Sequence, residues 1–409
     1  MNKVANWLGK ELTLNIEKVA HGGIFVARHE GRVIFVSHTL PGEKVRARVF
    51  EDKGGSFARA ETVEVLEASP HRVKHVWKAA ADGAVGGAEF GHIDLNYQLE
   101  LKADVLEEAL SRMAGIAMRP VVEQAPGDDL ANGLGYRTRV QLHVDELGNV
   151  GPYRERTHQV VEVRDLPLAV EDIRELGLHL KNWSGVRKIE IASSNTGNIQ
   201  YSVDKKVKGD ERLVERAGGR TFRITGGGFW QVHRKAADIL TSAVNEAIAK
   251  AGFDKTADNL DLYGGVGLFA GTIAAKFGVD SVITTVEAFK TATEDAKLNL
   301  ADLPNVRAIL APTERFLDER VSSHVKNGSP ETTATVILDP PRAGAGAKVV
   351  GQVLALKPKH IVYVACDPIA LARDLKPLTE GGYELASLRA FDLFPHTHHV
   401  EAVASLIRK

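Results

Sequence analysis

The sequence predicts a multidomain protein of mixed α+β and α/β class: an N-terminal β-barrel, a β-rich central domain and a C-terminal doubly wound α/β domain. Three observations carry this. Residues 11–68 read as short strands, and residues 133–225 read as strands again. Residues 226–409 alternate strand and helix. A chain of 409 residues has room for two to three domains at about 150 residues each. The expected boundaries are 1–68, 69–225 and 226–409.

In the first domain ELTLNIEKVA, RVIFVSHTL, EKVRARVFEDK and FARAETVEVLEA alternate in period two. Gly22-Gly23, Gly31, Pro41-Gly42 and Gly54-Gly55 supply the turns. Four or five strands of this length suggest a small closed barrel of OB type. Residues 1–75 carry twelve Lys or Arg against nine Asp or Glu. Lys44, Arg46 and Arg48 alternate onto one face. That face is either a solvated strand or the contact surface of an oligonucleotide-binding barrel.

Residues 69–94 are irregular and rich in Ala and Gly. Residues 95–115 form an amphipathic helix, with Leu95, Leu99, Val105, Leu106 and Leu110 at helical spacing and Gly115 closing it; it is expected to pack on the catalytic domain. YRTRVQLHVDE, VGPYRE, HQVVEV, KIEIASS, GNIQYSV and RTFRIT are the central strands. The third domain reads NLDLY, SVITTVEA, ATVILDP, HIVYVAC and HVEAVASLI as strands. IAAKFG, TATEDAKLNLADL, KVVGQVLALK and PIALARDLKPL are the helices between them. Apolar, β-branched strands alternating with helices imply a parallel sheet, which binds ligands at the carboxyl ends of its strands.

Composition narrows the function. Lys+Arg is 52 and Asp+Glu is 53, so a globally basic nucleic-acid coat protein is excluded. The single cysteine, Cys366, cannot form an internal disulfide, a four-cysteine zinc site or a cysteine-ligated iron–sulfur cluster. No apolar run nears the ~18 residues of a membrane span. The charged N-terminus does not read as a secretory signal. A reduced, cytoplasmic, monomeric protein is expected.

Unusual residues gather where a parallel sheet binds ligands. DLYGGVGLFAG places Gly264, Gly265 and Gly267 between a strand and a helix, and Glu287 ends the next strand. Glycines let the backbone approach a ligand, and an acid there accepts hydrogen bonds from ribose hydroxyls. NAD and S-adenosylmethionine both fit. The pyrophosphate pattern is incomplete, with Ala270 three positions after Gly267, which favours S-adenosylmethionine. LDPPRAG holds Asp339 at a strand exit stiffened by two prolines. In VYVACDPIALARDL, Cys366 meets a helix whose first turn suits Pro368. A thiolate there is stabilised by the dipole, although a lone cysteine is more often a small buried hydrophobe. In FPHTHHVEAVASL, Glu401 interrupts an apolar strand, where a carboxylate is rare unless paired. His396, His398 and His399 lack a carboxylate or Cys at a familiar ligand spacing, so no metal is expected. GGGFWQVHRKAADIL offers Phe229, Trp230 and Gln231 either as core or as base-stacking and cofactor contacts.

The order FWQVH, DLYGGVGLF, VEAF, LDPPRAG, VACDP, FPHTHHVE resembles the RNA uridine-C5 methyltransferase family, over nearly the whole chain. The N-terminal barrel resembles its TRAM domain, and the C-terminal domain then corresponds to a Rossmann-like class I methyltransferase domain. The resemblance implies methyl transfer from S-adenosylmethionine to C5 of uridine. Cys366 would be the nucleophile at C6, and Glu401 the base that removes the C5 proton. It assigns Gln231, Tyr263, Gly265, Gly267, Glu287 and Asp339 to the cofactor, and Phe229, Arg342 and His399 to the target RNA. The TRAM-like barrel points to 23S ribosomal RNA first and tRNA second. Two departures stand out. Many TRAM-bearing members hold an iron–sulfur cluster on four cysteines; here Val85, Ala88 and Leu166 stand at expected ligand positions, so no cluster and apolar packing are expected. A glycine-loop Asn of many members is Leu268, and the usual Cys is Gly264. Two other readings are a non-catalytic RNA-binding or ribosome-assembly factor on the same fold, against which Cys366 and Glu401 argue, and a nicotinamide oxidoreductase, supported only by the glycine loop and Glu287.

Overall fold

A computed structural model of the chain describes residues 6–81, 85–154, 157–327 and 335–409. Glu155 and Ala334, which end and begin two of the expected strands, lie outside the described residues.

Strands β1 (Glu11–Ala20), β2 (Ile24–His29), β3 (Arg32–Ser37), β4 (Lys44–Glu51) and β5 (Phe57–Glu67) close a barrel in the order β1-β2-β3-β5-β4. Their alternation buries Leu14, Ile16, Phe25, Ile34, Val45 and Val49 inside it. Helix α1 (Leu95–Ala109) is capped by Asp94, whose side chain accepts from the Asn96 and Tyr97 amides. It continues through one wide turn, Leu110–Ala114, and stops at Gly115, whose φ of 68° suits glycine. Tyr97, Leu101 and Val105 pack on the barrel, while Ala103, Leu106, Ala109 and Leu110 join the core of the C-terminal sheet. One helix therefore ties the two ends of the chain together.

β6 (Val122–Gln124) belongs to the C-terminal sheet. β7 (Arg139–Val144), β8 (Val150–Gly151), β9 (Lys188–Ser193), β10 (Ile199–Val203) and β11 (Lys206–Gly209) form the central sheet, ordered β11-β10-β9-β7-β8. The short helix α2 (Glu171–Glu175) packs beside β9. HQVVEV does not become a strand. Val160 makes one bridge to Tyr153, and Pro152, which has no amide to donate, interrupts its partner. β12 (Arg212–Ala217) and β13 (Arg220–Thr225) form a separate two-stranded ribbon. Val85, Ala88 and Leu166 are buried together with Ala80 in the central core, so residues that carry no thiolate fill this position. They do not fit an iron–sulfur cluster.

The C-terminal sheet has eight strands in the order β16-β15-β14-β17-β18-β20-β19-β6. These are β14 (Asn259–Leu262), β15 (Ile283–Glu287), β16 (Val306–Leu310), β17 (Thr335–Leu338), β18 (His360–Ala365), β19 (Tyr383–Asp392) and β20 (Glu401–Arg408), with β6 at the edge. β14 to β18 are parallel. Helices α3 (Ala236–Ala251), α4 (Leu268–Phe277), α5 (Lys290–Asn299), α6 (Thr313–Asn327), α7 (Gly346–Leu356) and α8 (Pro368–Glu380) complete the doubly wound arrangement. β17 and β18 are buried along their whole length, as strands covered on both faces must be. The last strand starts at Glu401, two residues later than its sequence pattern suggests, and His399 lies in the segment before it.

A buried ion pair fastens α1 to the sheet. Lys102 Nζ donates to Asp392 Oδ1 at 2.6 Å and to the Phe394 carbonyl at 3.1 Å. Both side chains are fully buried. Burial pushes the Lys102 ammonium down, and the Asp392 charge opposes that shift. Removing one partner strands the other charge in the core. Lys102→Ala is therefore expected to cost about 3–5 kcal/mol, read as a lower midpoint in urea unfolding; an unchanged midpoint would show that the pair is dispensable.

Candidate active site

The carboxyl ends of β14, β15, β17 and β18 open into a cleft of about 1200 Å³. Gly23, Ser37 and His38 of the barrel close one side, and Arg137 of the central domain lines it as well. All three parts of the chain thus build one cavity.

One half of the cleft is a glycine-loop cradle. Tyr263 follows β14 directly, and its φ of 63°, unusual for a bulky residue, bends the chain over the strand end. A Cβ on Gly264 would sit 1.8 Å from Thr285 Oγ1, so the loop packs too closely for any other residue. Glu287 ends β15 with both carboxylate oxygens fixed. Oε2 accepts from the Gly265 amide at 3.0 Å and Oε1 from the Phe289 amide at 2.8 Å. Gly267 begins α4 with a φ of 88°. Below the loop, Asp261 is fully buried and accepts from the Ala270 amide at 3.2 Å through Oδ2, while Oδ1 has no partner. Burial pushes its carboxyl up to about 6. Phe229 is 73% exposed and Phe289 74% exposed, both on the cleft wall, with Gln231 beside Phe229.

The other half holds the thiol. Cys366 follows β18 directly, and Asp367 caps α8, accepting from the Ala370 amide at 2.8 Å. β18 pairs antiparallel with β20, and their last pair is Ala365↔Ala402. Cys366 and Glu401 are the chain neighbours of that last pair, and both line the cleft. Asp339 leaves β17 next to them, and Arg342 lies three residues on, exposed. Burial pushes the Cys366 thiol up to about 12; Glu401 and Asp339 push the same way, and Arg342 opposes them. Burial first, and then the neighbouring carboxyls, oppose the thiolate that the helix end favours. Burial, with Asp339, raises Glu401 to about 8, and burial raises Asp339 to about 7. Protons held on this cluster at neutral pH keep it from concentrating negative charge.

His399 lines the cleft beside Phe394, and burial pushes its imidazole down to about 3. His398 is tied elsewhere: its ring pairs with Glu89, and its amide donates to Glu89 Oε1 at 2.9 Å. His21, in the barrel's β1–β2 turn, bonds Asp367 Oδ2 at 2.8 Å through Nε2. The barrel therefore touches the residue next to the thiol. Among the described residues, no group of three or more His, Cys, Asp or Glu is placed to hold a metal ion. Every residue expected at the site borders this cleft except Gly267, which begins the helix behind it. Glu89 and Arg137 were missed, since they come from segments with no motif. Asp261 was within reach, as the first residue of the DLYGG motif.

The geometry combines a glycine-loop cradle, a thiol near a carboxyl and a barrel at the cleft mouth. Residues 220–409 match the tRNA (Uracil-5-)-methyltransferase family, and residues 7–63 match the TRAM domain. An uncharacterised RNA methyltransferase of Streptomyces avermitilis is 41% identical, with 98% of each chain covered. One from Bifidobacterium longum is 37% identical over 97% of this chain and 96% of its own. The Pyrococcus abyssi tRNA (uracil-54, C5)-methyltransferase, solved with S-adenosyl-L-homocysteine, shares the fold at a TM-score of 0.70 and 22% identity, covering 97% of this chain and 100% of that one. Fold and site thus define a TRAM-bearing RNA methyltransferase. The chain belongs to the RNA uracil-5-methyltransferase family.

Proposed function

We propose that the protein methylates C5 of a uridine in structured RNA, using S-adenosylmethionine. The observation that carries this reading is the pairing of β18 with β20, which brings the only thiol and a buried carboxyl to the same point of the cleft. The cradle suits the cofactor's nucleoside: Glu287 would accept from the ribose hydroxyls, Gly264 and Gly265 would allow close approach, and Tyr263, Gln231 and Asp339, which line the space, would hold the rest. Bound S-adenosylmethionine supplies the electrophilic methyl group that C5 accepts.

C5 of uracil is a weak nucleophile. Cys366 gives its proton to solvent water as its sulfur forms a bond to C6, and the C5–C6 double-bond electrons move onto C5 and O4 as an enolate. Once C5 carries the methyl group, Glu401 removes the C5 hydrogen as a proton. The electron pair of that bond expels the Cys366 sulfur and restores the double bond. Phe229, Arg342 and His399 line the pocket for the target base, which must leave its stack to reach the thiol.

Ribosomal RNA is the substrate we favour, because the barrel resembles that of the ribosomal members. tRNA is second, in keeping with the matched family's name. Mapping 5-methyluridine in RNA from cells with and without the gene tests both. Loss of one or two specific ribosomal positions is expected. Loss confined to tRNA would move the substrate to the second choice, and no loss in either would refute the activity.

A further inference from the structure

The basic face of β4 in the barrel is not a free cationic face. Lys44 pairs with Glu67 at 3.0 Å, Arg46 with Glu64 at 2.5 Å and Arg48 with Glu11 at 2.8 Å. A polyanion approaching there meets as much negative charge as positive.

The ribbon β12–β13 is different. Its register sets Arg212 opposite Thr225, Val214 opposite Arg223 and Arg216 opposite Thr221. Directly opposed residues project from the same face. Arg212, Arg216 and Arg223 therefore share the outer face with two threonines, while Leu213, Phe222 and Ile224 fill the core beneath. All three arginines are exposed, and the outer face itself carries no acid. Among the described residues, no carboxylate lies within ion-pair distance of their guanidinium groups. Arg212 and Arg216 are four residues apart, roughly 13 Å along a strand, with Arg223 across from the midpoint. This makes a row of positive charges on a chain of net charge −1.

The row sits on a braced backbone. Thr225 donates through its amide and its hydroxyl to Asp295, each at 2.7 Å, and the Arg223 amide donates to Asn299 Oδ1 at 2.8 Å. On the other edge, Asn195 holds the Arg216 amide and carbonyl at 2.9 and 2.7 Å. β13 ends at Thr225, and a glycine turn through Gly226, Gly227 and Gly228 leads on to Phe229 on the cleft wall.

We propose that the outer face of this ribbon is a phosphate-binding track for the RNA strand that flanks the target uridine, with Arg212, Arg216 and Arg223 as its contacts. The proposal rests on RNA being the substrate; it needs neither the identity of the nucleophile nor that of the modified position. Guanidinium groups match phosphate oxygens in charge and in forked geometry.

The test compares R212S/R216S/R223S with R212K/R216K/R223K and the parent. Ribosomal RNA and tRNA transcripts are bound by each between about 50 and 300 mM salt. Losing three phosphate contacts on a single strand should lower the log–log salt slope by about 2 and weaken binding roughly 50-fold near 0.15 M. The lysine variant should keep the slope. S-adenosylmethionine affinity and the thermal midpoint should stay at parental values, which separates a lost contact from a damaged fold. In turnover, the loss should fall on KM for RNA more than on kcat. A serine variant with parental affinity and salt slope on both transcripts would overturn the proposal, as would one whose RNA binding holds while an acidic protein partner is lost. Absence of 5-methyluridine from parent and variants alike, with the salt slope still reduced, would sink the proposed activity and leave the track standing.

Discussion

Replacing Cys366 with alanine is expected to lower 5-methyluridine formation by at least about 10⁴-fold, with S-adenosylmethionine binding retained. The size follows from the chemistry: without a bond to C6, C5 never gains the electron density that accepts a methyl group. The thiol is pushed up to about 12 by burial and by two nearby carboxylates, so it rests protonated in the free protein. Covalent chemistry then awaits a bound base. RNA carrying 5-fluorouridine separates this from a packing effect. Fluorine cannot leave C5 as a proton does, so the parent should accumulate a stable protein–RNA adduct and Cys366→Ala none. Turnover by the alanine variant at anything near the parental rate would end the nucleophile assignment.

The sequence was informative where local pattern and position coincide. Period-two alternation with glycine turns foretold the closed barrel, and βα alternation foretold the parallel sheet. Cys366, Glu287 and Asp339 were legible because polar or reactive groups rarely follow a run such as HIVYVA without a reason. What escaped depends on partners distant in sequence. β6 has three residues, too few for a periodic signal, and exists because β19 offers its edge. The ribbon strand RLVERA, absent from the expected strands, is held in place by its pairing with RTFRIT. Lys44, Arg46 and Arg48 do share a face, as their spacing implies, yet Glu11, Glu64 and Glu67 reach them from β1 and β5 and cancel their charge. The Cys366 environment has the same origin. A helix start lies next to the thiol in sequence, whereas the burial that raises its proton affinity, and the carboxyls that add to it, come from chain distant in sequence, the ends of β17 and β20 among it.

Glu401→Gln is expected to slow turnover by about 10²–10⁴-fold and to leave a methylated, protein-linked RNA. Three features make it a clean test. The Glu401 carboxyl is buried and raised to about 8, so it is largely neutral at pH 7, and a neutral amide of the same shape should preserve the fold. The neutral amide leaves the charge beside Cys366 unchanged at pH 7, so the first bond is not hindered. The step that suffers is loss of the C5 proton, after methyl transfer. The pH dependence has a definite sign. The base must be ionised to act, so parental kcat/KM should climb as pH rises toward about 8, as Glu401 sheds its proton. A parental rate that falls across that range, or free methylated product from the glutamine variant at the parental rate, would remove Glu401 from the reaction and leave the C5 proton in need of a different acceptor.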